Sequence, residues 1–267
     1  IYAVTAGISV GALFIAGILP ALLLLAVLCL TVFLSLRKRD DLRLAKASLR
    51  DQITMSLKAL PALGAAIVVL GGILGGIFTP TEAAGIGVVY MLVLGFAYGA
   101  MHWQNIKRVL QATVETTGSV LIIVCAAALF GWVLARERVP QLAGEYIFSL
   151  TENPIVFLLL LNLLLFIIGA IIEPTAAILV LVPVLAPVAT LYGLDPLHVG
   201  MVIIFNLMMG LLTPPVGLVL FVLSSVTEIP VARIIRGVIP VYLPLVAVLL
   251  LISFIPFFTT WLPSVLG

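Results

Sequence analysis

The residues best suited to chemistry lie in the uncharged run 196–227, as Asn206-Leu-Met-Met-Gly210-Leu-Leu-Thr213-Pro214-Pro215-Val216-Gly217. Two adjacent prolines lack amide donors and their rings clash with preceding carbonyls, while Gly210 and Gly217 permit conformations that a helix forbids. A helix entering this string must break, and the carbonyl oxygens a break releases are natural ligands for a hard cation. The plainer alternative is a proline kink kept for packing. A second constellation is Gly169-Ala-Ile-Ile-Glu173-Pro174-Thr175, set between two apolar arms, the later of which carries Pro183 and Pro187. Pro174 forces a turn, so this string can form a hairpin tip that presents Glu173 and Thr175 to the broken helix.

What such groups can do depends on their surroundings, and composition defines these. Of the 267 residues 64% are apolar and 9% charged, with a mean hydropathy of +1.37. No soluble core of this length needs so much apolar material. A membrane-spanning helix takes about 20 apolar residues, and the stretches without Asp, Glu, Lys or Arg are 1–36, 59–81, 83–106, 116–135, 153–172, 174–194, 196–227 and 237–267. The chain is therefore expected to be an all-α polytopic membrane protein in a lipid bilayer. A carboxylate at depth costs about 2.5–3.5 kcal/mol on insertion scales and is functional by default; the alternative is that Glu173 sits at a membrane edge and is solvated. The net charge of +2 forms no basic face, so nucleic acid is excluded as a partner. Cys29 and Cys125 sit in apolar runs and read as buried packing residues.

Lys and Arg set the orientation, because short basic loops stay in the cytoplasm. The cluster Arg37, Lys38, Arg39, Arg43, Lys46, Arg50 and Lys58 places its linker inside. Threading spans at 11–36, 59–78, 81–101 and 109–135 from there brings Lys107 and Arg108 inside. If 154–192 is a re-entrant hairpin entering and leaving on the outer side, a span at 197–225 delivers Arg233 and Arg236 to the cytoplasm, and a last helix at 237–262 exits. Of the thirteen Lys and Arg, Arg136 and Arg138 alone then lie outside. The segment 40–58, with Leu42, Leu44, Leu49, Ile53 and Leu57 among charges, reads as an amphipathic helix along the cytoplasmic surface.

A weak internal repeat pairs Gly17-Ile18-Leu19-Pro20 with Gly237-Val238-Ile239-Pro240 at an offset of 220. The two copies run in opposite senses in this topology, as in the inverted repeats of secondary transporters. On that reading the partner half lies upstream of Ile1. The segments become 1–36, the last helices of a first repeat; 37–58, the arm; 59–135, helices of the second repeat; 136–225, part of a transport domain; and 226–267, a cytoplasmic linker with a final scaffold helix.

The strings GGIFTPTEAAG at 75–85, ARERVPQ at 135–141, EPTAAILVLVPVLAPVA at 173–189 and NLMMGLLTPPVG at 206–217 resemble the large membrane subunit of tripartite ATP-independent periplasmic (TRAP) transporters. The resemblance implies a sodium-driven elevator transporter in the bacterial inner membrane. Its partners would be a small four-helix membrane subunit and a periplasmic substrate-binding protein, and its cargo a carboxylated solute such as a sialic acid or C4-dicarboxylate. It further implies a sodium site, with no organic cofactor, at Glu173, Pro174, Thr175, Gly210, Thr213, Pro214 and Val216. Substrate or gating roles fall on Asn206, Pro215, Gly217, Arg136 and Glu82. For Arg136, pairing with Glu137 or Glu145 is the structural alternative. His102 and His198 read as membrane-edge residues rather than proton relays.

The expected mechanism is alternating access, in which a domain holding the hairpin and broken helices slides against the outer helices and the arm. The chain carries no Gly-x-x-x-x-Gly-Lys-Ser/Thr phosphate loop. It has no His-x-x-x-His and no paired intramembrane aspartates, which weighs against an intramembrane enzyme. The remaining alternatives are a divalent-anion transporter working without a binding protein, and a channel.

Overall fold

The computed structural model describes residues 1–37 and 48–266. Among these the ordered structure is entirely helical: α1 (Tyr2–Ala6), α2 (Val10–Leu36), α3 (Leu49–Leu74), α4 (Pro80–Ala97), α5 (Trp103–Arg136), α6 (Val139–Leu150), α7 (Pro154–Gly169), α8 (Pro174–Leu191), α9 (Pro196–Gly210), α10 (Leu218–Thr227), α11 (Val231–Phe254) and α12 (Phe257–Leu266). Six of them, α2, α3, α4, α5, α8 and α11, are long and apolar enough to cross a bilayer. A helix satisfies all its own backbone groups, which is why a chain of this composition has no use for strands.

The chain divides into two compact units, Ile1–Ser35 with Ile123–Gly267, and Leu36–Ile122. In the smaller unit, α3 and α4 form a helical hairpin. Gly76, at φ 65, turns the chain, and the absence of a side chain on Gly72 makes room for the Phe78 ring. Tyr90 donates to the Pro61 carbonyl at 2.8 Å. The part of the expected surface arm at 38–47 lies outside the described residues. Its remainder is helical from Leu49 and continues through Lys58 into α3, with Ser48 as the cap accepting from the Asp51 amide.

The core of the larger unit is built by α7, α8 and α9. Phe157, Leu161 and Leu165 of α7 pack against Val182, Leu185 and Val188 of α8 and Ile203 and Leu207 of α9, all buried. Short α1 closes one end, where the Tyr2 ring covers Gly200 and its hydroxyl donates to the Pro196 carbonyl at 3.0 Å. On another side Val248 and Ile252 of α11 meet Val202. Between helices in lipid the attraction comes from close packing and interhelical hydrogen bonds, since lipid tails are as apolar as leucine.

Three features differ from the sequence expectation. Residues 139–150 form a separate helix, α6, which meets α7 at 119°. The last expected span is divided at Ile255 and Pro256 into α11 and α12. Cys29 and Cys125 are exposed free thiols rather than buried packing groups. Apolar flanks do not separate an outward position from a core one when the surrounding solvent is itself apolar.

Candidate functional site

The expected break and hairpin tip exist, and they touch. Helix α9 stops at Gly210, and α10 starts only after Gly217. Helix α7 ends at Gly169, and α8 begins at Pro174. A side chain on Gly210 would lie 2.5 Å from the Gly169 oxygen and 2.6 Å from its Cα, so the two backbones are in direct contact. One on Gly169 would meet the Leu207 backbone at 3.2 Å. The Val216 amide then donates to the Ala170 carbonyl at 3.3 Å, tying the far end of the break to the tip. Because Asn162 meets Asn206 and Gly169 meets Gly210, α7 and α9 run in the same sense toward this junction.

Inside the break the chain turns tightly. Leu212 and Thr213 amides donate to Met209 and Gly210 carbonyls at 3.0 and 2.8 Å, and the Val219 amide reaches the Leu211 carbonyl at 3.2 Å. The Tyr242 hydroxyl of α11 donates to the Leu212 carbonyl. Among the described residues no main-chain hydrogen bond reaches the carbonyls of Thr213, Pro214, Pro215 or Val216. In a helix they would accept from the amides of residues 217–220, but the break turns the Val219 and Leu220 amides to the Leu211 and Gly217 carbonyls instead. Gly217, at φ 54, restarts the helix, and a side chain there would meet Leu220 Cδ1 at 2.7 Å. Glycine alone fits that conformation without strain.

The tip carries its own hydrogen bonds. Glu173 is the N-cap of α8, its Oε2 accepting from the Ala176 amide at 3.0 Å. Thr175 donates to Glu173 Oε1 at 2.7 Å. Both carboxylate oxygens thus already hold one donor, and the carboxylate lies at the positive end of the helix dipole. Thr213 Oγ1 donates back to the Met209 carbonyl at 3.0 Å, and its oxygen retains lone pairs. Of the residues expected in the sodium site, the structure brings Gly210 and Val216 against the tip, folds Glu173, Pro174 and Thr175 into one helix cap beside it, and leaves Pro214 exposed on the break with Thr213 half-buried.

The residues expected to bind substrate or to gate are spread more widely. Pro215 and Gly217 belong to the break. Asn206, one turn before Gly210, is fully buried. Arg136 ends α5 with its guanidinium 5.3 Å from the Trp132 ring centroid, a cation–π contact rather than the alternative pairing with Glu137 or Glu145. Glu82 sits in the smaller unit and closes a capping box with Thr79: the Thr79 amide and hydroxyl both donate to Glu82 Oε2 at 2.8 Å. His198 is buried rather than solvated. It is 1% exposed, donating from Nε2 to the Ser253 carbonyl at 3.1 Å, with Thr259 Oγ1 at 2.8 Å from Nδ1.

Sequence reasoning misses Gly169 and Ala170 as contact residues, and also Asn162, Ser253 and Tyr242. Asn162 carries a readable signal, as a polar residue deep in the run 153–172. The string Gly7-Ile8-Ser9-Val10-Gly11 has the spacing of a hydrolase nucleophile elbow. Here Ser9 caps α2, accepting from the Ala12 amide at 3.2 Å, and a helix rather than a strand precedes it, so the elbow's context is missing. Among the described residues no group of three His, Cys, Asp or Glu is placed to hold a metal.

A helical chain with this many apolar spans, a helix broken inside an uncharged run and a proline-bounded tip against it is a polytopic membrane protein. Residues 1–258 match the family described as tripartite ATP-independent periplasmic transporter, DctM component, and the chain belongs to that family of large TRAP permease subunits. It is 43% identical over 265 residues to the sialic acid TRAP transporter large permease protein of Vibrio cholerae, covering 99% of this chain and 62% of that protein. It is 38% identical over 268 residues to the C4-dicarboxylate TRAP transporter large permease protein of Pseudomonas aeruginosa, covering 100% of this chain and 63% of the relative. An isethionate TRAP transporter permease protein of Oleidesulfovibrio alaskensis shares 34% identity over 258 residues, covering 96% of this chain and 41% of that protein. The chain thus spans under two thirds of the length of these relatives. It is a multi-pass protein of the inner membrane, and its relatives are permeases rather than enzymes.

Proposed function

We propose that this chain forms the part of a TRAP permease in which a sodium ion and a carboxylated solute of the sialic acid or C4-dicarboxylate type are bound during import. The solute is handed over by a periplasmic substrate-binding protein, and a small four-helix membrane subunit completes the permease. The observation that carries the reading is the backbone contact between Gly169 and Gly210. It brings a hairpin tip against a helix break that has free main-chain oxygens. A partly dehydrated cation needs several oxygens in fixed positions. The Thr213 to Val216 carbonyls, the Thr213 and Thr175 hydroxyls and the Glu173 carboxylate are this chain's supply. Non-helical backbone at membrane depth survives where it is buried in protein or lines a cavity, which such a site provides.

The mechanism is an elevator. The tightly packed set α7, α8 and α9 moves as one body and carries the junction from one face of the bilayer to the other, against outer helices that stay in place. Coupling follows if cation binding draws the tip and the break together, since closing the junction then depends on the ion. Arg136 and Arg138, on the outer side of the proposed topology, are suited to a carboxylate arriving from the binding protein. The test is uptake by the complete transporter in liposomes, loaded with candidate acids and driven by a sodium or a potassium gradient. Carboxylate uptake that requires sodium supports the reading, and equal uptake in both gradients ends it.

A further inference from the structure

Beneath the junction lies a buried polar chain that the proposed site does not use. Asn162 of α7 and Asn206 of α9 are 6% and 0% exposed, and Ser253 of α11 is fully buried beside them. Asn162 Nδ2 donates to the Leu158 carbonyl at 2.8 Å and to Ser253 Oγ at 3.0 Å. A backbone carbonyl only accepts, so Leu158 fixes which end of the Asn162 amide is nitrogen. That leaves Asn162 Oδ1 as an acceptor, 2.8 Å from Asn206 Nδ2, which also donates to the Asn162 carbonyl at 2.9 Å. Both partners of Asn206 Nδ2 are acceptors, so the Asn206 amide is fixed in turn. Its nitrogen faces α7, and its Oδ1 is left buried without a partner.

A buried acceptor without a donor is unfavourable and calls for an explanation in each native structure that holds one. We propose that Asn206 Oδ1 is kept unpaired as the acceptor for an electropositive ligand of the junction one turn away, and that Asn162 is the positioning residue that keeps it so. The ligand class is a hard cation or a donor group of the solute, the two chemistries an amide oxygen accepts. The inference rests on the transport reading above and adds to it a third layer, below the tip and the break. Ser253 completes the arrangement. Its hydroxyl receives from Asn162, and its carbonyl receives from His198, so α11 links the amide pair to His198.

The alternative is that the amide pair merely joins two helices. The two differ in what happens when both asparagines become leucine, which keeps the number of side-chain heavy atoms and removes the orphaned oxygen. Replacing both partners of a buried hydrogen bond with apolar groups is close to neutral for folding. The experiment is performed on the complete transporter in liposomes, after wild type has been shown to need sodium. Failure at that first step defeats the transport reading rather than this inference. Asn162→Leu/Asn206→Leu is then compared with wild type for thermal stability, for sodium half-saturation and for solute half-saturation. The proposal expects unchanged or higher stability with at least about a five-fold rise in one half-saturation value. A rise for sodium identifies the cation as the ligand, and a rise for the solute identifies its donor group. The single variant Asn162→Leu, which frees the Asn206 amide to rotate, should move the same value in the same direction. Unchanged half-saturation in a stable double variant overturns the proposal. If the double variant does not fold, Asn206→Ser, which withdraws Oδ1 and leaves a small polar group in the packing, decides: wild-type values for both ligands overturn the proposal.

Discussion

Gly169 and Gly210 meet backbone to backbone, with no room for a methyl group between α7 and α9. Everything proposed about the site depends on this approach, since a side chain on Gly210 separates the tip from the break, whereas one on Gly169 only crowds Leu207. Overpacking of this kind costs about 1–3 kcal/mol. Gly210→Ala should therefore abolish sodium-driven uptake. Gly169→Ala, which meets the Leu207 backbone at 3.2 Å, should lower it less. Gly118→Ala, with nothing within 4 Å, should leave it unchanged. Uptake normalised to membrane-inserted protein gives the order, and a wild-type rate for Gly210→Ala would remove the junction from the mechanism.

Glu173 does two jobs in this account, capping α8 and facing the cation. Losing an N-cap costs about 1 kcal/mol, and Glu173→Gln retains an oxygen for the Ala176 amide where Glu173→Ala does not. Sodium half-saturation should rise in both variants, with Gln lying between wild type and Ala. Equal defects would assign the whole effect to the charge.

Glu82 is engaged in the Thr79 capping box, and this predicts a fold role rather than a gating one. Glu82→Gln should preserve uptake and sodium dependence, while Thr79→Ala should lower thermal stability by about 1 kcal/mol. A Glu82→Gln permease that inserts normally and fails to transport would restore the gating role.

The proposed topology is open to cysteine labelling, with Cys29 and Cys125 first replaced because both are exposed. Cysteines at Lys107 and Arg233 should react from the cytoplasm, and those at Asp195 and Ser264 from outside. All four native side chains are exposed. Labelling of position 233 from the periplasm would mean that α7 and α8 cross the membrane rather than re-enter.

The break and the tip were legible in the sequence because proline and glycine act locally. Pro214, Pro215 and Gly217 stop and restart a helix whatever surrounds them, and Pro174 opens one. The contact between them was not legible, since nothing near Gly169 in the chain announces Gly210. Helix α6 was not anticipated as a separate element; Pro140 falls in its first turn, where proline is tolerated. The end of α11 at Ile255 was missed because Pro256 lies in an apolar run, where a proline kink and a true end look alike. The burial of His198 was not legible for a different reason. Its sequence neighbours Asp195 and Pro196 mark a helix start, but the residues that bury it, Ser253 and Thr259, come from two other helices.

The central claim is that sodium is held where the tip meets the break, and Thr213 tests it most directly. Its hydroxyl can be deleted without removing either proline or either glycine of the break. Thr190, exposed at the far end of α8 and bonded to the Pro187 carbonyl, is the control. In the complete transporter reconstituted with its partners, the sodium concentration for half-maximal uptake should rise in Thr213→Ala and stay at the wild-type value in Thr190→Ala. Loss of one neutral ligand corresponds to about 1–3 kcal/mol, or roughly a 5- to 150-fold rise. Unchanged sodium dependence in a normally inserted Thr213→Ala permease would contradict the account and leave the Pro214–Pro215 break as a structural kink.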